Sequence, residues 1–83
     1  MLALRAGQIW QCRGQRYTFC VTGPDQGYYE WVDDNGLILH DDATERCHRW
    51  DEPTRCWQLW INALGRGLHA PPLDLVQMLY APA

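Results

Sequence analysis

The chain contains no lysine: all seven of its basic residues are arginine. Every cation is therefore a planar guanidinium able to make two-pronged contacts with carboxylates or phosphates. No apolar run is long enough to span a membrane, and Met1-Leu2-Ala3-Leu4-Arg5 lacks the apolar core of a signal peptide. These absences point to the cytoplasm, with Cys12, Cys20, Cys47 and Cys56 reduced, although four cysteines could also close two disulfides. No Cys-x-x-Cys pair of the kind that zinc sites use is present. Glycine-rich phosphate loops, serine elbows and zinc-protease signatures are missing too, as are internal repeats and low-complexity segments. An enzyme is the least expected class, and no cofactor is expected.

What the chain does have is aromatic weight and lopsided charge. Eighty-three residues make one domain, which buries roughly 60–65% of its unfolded surface and has a small core. A deep catalytic cleft is hard to build at that size, which favours binding. Five tryptophans (10, 31, 50, 57 and 60) and four tyrosines (17, 28, 29 and 80) supply burial per residue and anchors for a partner. Residues 1–24 hold three arginines and no acid. Residues 25–52 hold nine acids against two arginines, a net charge of −7, and residues 53–83 hold two arginines and one aspartate, net +1. This balance argues against a conventional nucleic-acid-binding footprint.

The central stretch is Gly27–Asp41. Asn35-Gly36 is a strong hairpin signal, because both residues tolerate the positive φ of a type I′ turn. It separates the strand-forming run Tyr28–Asp33 from Leu37–His40. On the first of these, Tyr29 and Trp31 share one face, while Tyr28 and Val32 take the other. Upstream, Gln8–Cys12 and Tyr17–Thr22 read as strands around a turn at 13–16, and 23–27 reads as a loop. Residues 42–50 are ambiguous, with Asp42 and Glu45 spaced like a capping box for a helical turn. Residues 55–63 fit both periods and lean towards a strand. Pro71-Pro72 reads as the opening of a helix over Leu73–Tyr80, with Leu75, Val76, Leu79 and Tyr80 on its apolar face. The expected fold is mainly β, a small barrel or bent antiparallel sheet, with a short C-terminal helix.

The opening Ala6-Gly7-Gln8-Ile9-Trp10, the turn at Arg13-Gly14 and the Tyr17-Thr18-Phe19 strand resemble those of small SH3-like barrel proteins of bacteriophages and mobile elements. The Asn-Gly hairpin and Trp50 fit the same pattern, so the resemblance covers roughly residues 6–50. It implies an accessory binding protein in a bacterial cytoplasm, of a kind some members of which block host enzymes or host defence.

The candidate partner-binding residues are Asp33, Asp34, Asp41, Asp42, Glu45, Arg49, Trp50, Arg55 and Trp57. The carboxylates, together with Asp51 and Glu52, form either a solvated rim that keeps an aromatic-rich domain soluble or a docking surface for a basic partner. The spacing matches no known cation loop. Trp50 beside Arg49 and Trp57 near Arg55 have the make-up of an interaction hot spot, and the alternative for each is the core. His40, Cys47, His48 and Cys56 are conceivable zinc ligands, against a simpler reading as buried or idle side chains. Arg13 and Arg16, aided by Tyr17, are either an exposed turn or a local phosphate or acidic-partner contact. The expected function is a non-enzymatic interaction protein that binds a host protein or complex with a basic surface. An inhibitor of a nucleic-acid-handling complex, such as an anti-CRISPR, is its most concrete form. The alternatives are a small nucleic-acid-binding module and a self-associating structural subunit.

Overall fold

A computed structural model describes residues 3–24, 26–44, 46–62 and 67–82. Among the described residues eight strands form one antiparallel sheet: β1 (Ile9–Cys12), β2 (Tyr17–Gly23), β3 (Gln26–Val32), β4 (Ile38–Asp42), β5 (Arg46–Asp51), β6 (Cys56–Ile61), β7 (Leu68–His69) and β8 (Leu75–Tyr80). The order across the sheet is β4-β3-β2-β1-β8-β6-β5, with β7 also on β6. The first four strands form a meander, because each is joined to the next by a connection too short for anything but reversal. Strands β5 and β6 form a second hairpin. Strand β8 is the seam between the two units: it pairs along β1 and meets β6 at Trp57↔Leu75.

Alternation along the strands sends one set of side chains to the inner face of the curl. Phe19 lies opposite both Trp10 and Tyr29, Tyr17 opposite Trp31, and His48 opposite Leu59. Phe19, Tyr29, Leu59, Leu75, Cys12 and Val21 are buried there and form the core with Leu4. Gly27 has a packing reason: a Cβ at this position would sit 2.5 Å from Cζ of Phe19 and closer still to the Cys20 carbonyl. The sheet curls into a half-barrel. Its two ends approach where the Tyr29 hydroxyl shares a 2.8 Å hydrogen bond with Nε2 of His48 and where Arg46 pairs with Asp41. Among the described residues no backbone ladder joins β4 to β5.

Two expectations need correction. Residues 73–80 form no helix. Pro71–Leu73 make a single 3-10 turn, Asp74 turns extended (φ −62°, ψ 139°), and β8 follows. Helical periodicity at Leu75, Val76, Leu79 and Tyr80 is outweighed by the vacant place between β1 and β6, where Leu75 is fully buried. The Asn35-Gly36 hairpin exists, but its turn is not type I′. Of the two residues only Gly36 has positive φ (+82°), so the loop is the three-residue form, Asp34-Asn35-Gly36. Asp33 selects it: its Oδ1 accepts the N–H groups of Asn35 and Leu37, each at 2.9 Å. The ambiguous segments resolve as strands. Asp42 ends β4 rather than capping a helical turn, while Glu45 lies outside the described residues.

Candidate partner-binding face

The hairpin Gln26–Thr44 carries Glu30, Asp33, Asp34, Asp41 and Asp42 and no arginine. Its compensating cations come from elsewhere in the chain. Arg16 of the first turn lies 3.7 Å from Asp34, whose side chain is 94% exposed. Arg46, at the start of β5, pairs with Asp41. An exposed pair such as Arg16–Asp34 contributes little and is easily exchanged for another cation. Asp33 is committed to the turn through its Oδ1. Asp42 is exposed and has no ion pair among the described residues.

The remaining predicted residues lie on the β5–β6 hairpin, at the other end of the strand order. Trp50 and Trp57 face each other across the ladder in an edge-to-face pair, centroids 5.5 Å apart. Trp57 packs on the core, and Nε1 of Trp50 donates to Glu52 at 2.6 Å. Arg55 pairs with Glu52 at 3.1 Å in the hairpin turn. Arg49 lies 4.9 Å over the ring of Trp60, which also stacks on His69. Arg13 is directed to the core end of β8, 3.6 Å from Sγ of Cys56 and 3.9 Å from Asp74. The candidate residues thus divide between two hairpins. All four thiols are free, and among the described residues no three acidic, cysteine or histidine side chains converge to hold a metal.

Sequence reasoning missed the pocket on the inner face. It has a volume of about 370 Å³. Tyr17, Tyr29 and Trp31 form its aromatic floor; Pro72 and Leu73 of the 3-10 turn and Asp41 of β4 complete the wall. Tyr17 and Trp31 meet at 5.5 Å with planes tilted by 55°, an aromatic corner open to solvent on one side. The Tyr29 hydroxyl is consumed internally, donating to the Leu73 carbonyl at 3.3 Å besides its bond with His48. Burial pushes that phenol well above the usual tyrosine range, so it stays neutral. The pocket can therefore take an apolar or planar group against the aromatic corner, with the Asp41 carboxylate at its edge. The Tyr29/Trp31 alternation was a readable signal for the floor; nothing local announced that residues 70–73 would close over it.

Strand β4 is the rim of this face. Leu39 lies opposite Trp31 and Asp41 opposite Tyr29, while Val32 and Ile38 pair on the outer surface. Leu37 and Ile38 are 61% and 64% exposed.

Comparison with family models, with curated proteins and with solved structures finds no match. Among the described residues no helix is long and apolar enough to cross a membrane.

Proposed function

We propose that this chain is a non-enzymatic interaction protein that grips a partner protein through the β3–β4 hairpin and the aromatic pocket behind it. The observation that carries this reading is the coincidence, on one hairpin, of five carboxylates with no arginine of the hairpin's own, an exposed apolar edge and a pocket walled by Asp41. Aromatic anchors surrounded by charge are how small interfaces concentrate their energy. The one-signed hairpin suits a partner with a basic surface and would speed the encounter. Such surfaces are common on proteins that handle nucleic acid. A cytoplasmic inhibitor of a host nucleic-acid-handling complex, anti-CRISPR-like and of phage or mobile-element origin, is the narrower form of the proposal. The reading of the half-barrel as SH3-like belongs with it and rests on the Gly7–Trp10 and Tyr17–Phe19 segments.

The test is capture from a bacterial lysate by the immobilised chain, compared with a variant carrying Asp33→Asn, Asp34→Asn, Asp41→Asn and Asp42→Asn together. Asparagine at position 33 keeps an oxygen for the turn, so the hairpin survives the change. A partner captured by the native chain and lost by the variant supports the reading. The same partner held equally by both overturns it.

A further inference from the structure

We infer that the free edge of β4 is a strand-addition site for an extended partner segment with an apolar centre and basic flanks. This rests on the reading of the chain as an interaction protein and specifies how the partner is held.

The ladder between β3 and β4 runs without a bulge from Tyr28↔Asp42 to Val32↔Ile38. The N–H of Asp33 donates to the Leu37 carbonyl at 2.9 Å, and that of Ala43 donates to Gly27 at 3.3 Å. These bonds fix the alternation: residues 39 and 41 bond inward to β3, whereas Ile38 and His40 direct N–H and C=O to the open edge. Open edges are usually protected by lysine, proline, a bulge or an inward-pointing charge. Residues 38–42 have no lysine, proline or bulge, and their inward charge, Asp41, lies at the far end of the strand, where Arg46 pairs with it, so Ile38–His40 carry no such device. Residues 38–42 present Ile38 and His40 to one side of the sheet and Leu39 and Asp41 to the other, with Leu37 leading in. A strand laid along this edge would gain main-chain bonds from Ile38 and His40. Its inward side chains would lie beside Leu39 and Asp41, at the rim of the aromatic pocket. Main-chain pairing gives affinity in this mode, and pockets for alternate side chains give specificity.

Charge decides the occupant. Asp34, held only by an exposed and readily exchanged contact with Arg16, lies at one end of the edge, and Asp42, without an ion pair among the described residues, lies at the other beside Asp41, which is paired with Arg46. A second copy would pair β4 with β4 about a two-fold axis, hence antiparallel. That would bring the aspartates at each end of one strand against those at the opposite end of its mate, an unfavourable like-charge juxtaposition. A segment with arginine or lysine at both ends and β-branched residues between them meets complementary charge at each end instead.

The experiment uses the full chain, isotope-labelled, and the synthetic peptide Arg-Arg-Val-Thr-Val-Ile-Val-Arg-Arg. Further probes are the same peptide with glutamine flanks and two versions N-methylated on alternate central residues, one set for each edge of the peptide. At saturation the amide exchange of Ile38 and His40 should slow by about tenfold or more, as for amides newly drawn into a ladder. At low salt the glutamine-flanked peptide should bind at least about tenfold more weakly. One methylated peptide should lose binding and the other keep it. No binding, unchanged exchange at Ile38 and His40, equal affinity without the arginines, or equal tolerance of both methylated peptides would each overturn the proposal. So would sedimentation as a dimer whose Ile38 and His40 amides are protected without peptide, which would assign the edge to a second copy. Capture of a lysate partner that depends on the four aspartates, with the Ile38 and His40 amides unprotected in that complex, would leave the interaction reading standing and remove the strand-addition mode alone.

Discussion

Replacing Asp74 with alanine should be among the most damaging single changes available in this fold. Asp74 is 2% exposed. Its Oδ1 accepts the N–H of Leu59 at 2.9 Å, both oxygens lie 3.0 Å from Nε2 of His69, and Nη2 of Arg13 is 3.9 Å away. The residue therefore ties the start of β8 to the middle of β6 and to β7. Alanine leaves the Leu59 N–H unpaired beside a fully buried side chain, which costs about 1–3 kcal/mol, and removes the His69 contact, worth about 1 kcal/mol. The Arg13 side chain is half exposed, so its pairing adds little. The total is about 2–4 kcal/mol, against the ~4–12 kcal/mol available to a domain of this size. Asparagine keeps an oxygen for Leu59 and should lose only about 1–2 kcal/mol. Urea unfolding followed by tryptophan fluorescence reads this directly. With a slope of about 1–1.5 kcal/mol per molar urea, alanine should lower the midpoint by roughly 1.3–4 M, or the melting temperature by about 8–30 °C. A loss below about 0.5 kcal/mol for alanine, or an equal loss for asparagine and alanine, would refute the assignment of Asp74 as the clasp between β8 and β6.

Gly27→Ala should destabilise by about 2–3 kcal/mol or more, because the new methyl meets Phe19 and the Cys20 carbonyl, neither of which is a flexible chain end; thermal melting checks this. Tyr29→Phe should cost about 1–2 kcal/mol in the same assay, through loss of the bonds to His48 and Leu73 with the ring packing kept. Burial, aided by Asp74, pushes the Cys12 thiol up to about 12. Between about pH 9 and 12 the unfolded chain releases this proton and the folded chain keeps it, so stability is fully present below that window and falls through it by about 1.4 kcal/mol per pH unit. Cys12→Ala should flatten the alkaline stability profile by that slope, and a profile of unchanged steepness would count against the burial of the thiol.

Much of the meander was legible because local signals agreed there. Tyr17–Thr22 and Tyr28–Asp33 alternate, and Asn35-Gly36 sits between two β-forming runs. The turn type was misread because the decisive group is the Asp33 carboxylate, whose capture of two N–H groups has no weight in a two-residue rule. The last strand was misread because eight residues cannot distinguish helical from extended order when the deciding contact is Leu75 against Cys12 and Trp57, remote in the chain. The acidic residues were readable as a set, but their arginine partners were not. Arg16 and Arg46 reach Asp34 and Asp41 only once the turn and the curl exist. The pocket combines Tyr17, Trp31 and Pro72, which no spacing rule connects.

The most direct measurement is the backbone amide shift footprint of the labelled chain bound to the partner captured from lysate. The largest changes should fall on Tyr28–Asp42, together with Tyr17 and Leu73 around the pocket. A footprint confined to the β5–β6 hairpin, or spread evenly over the sheet with the β3–β4 hairpin unmoved, would contradict this expectation.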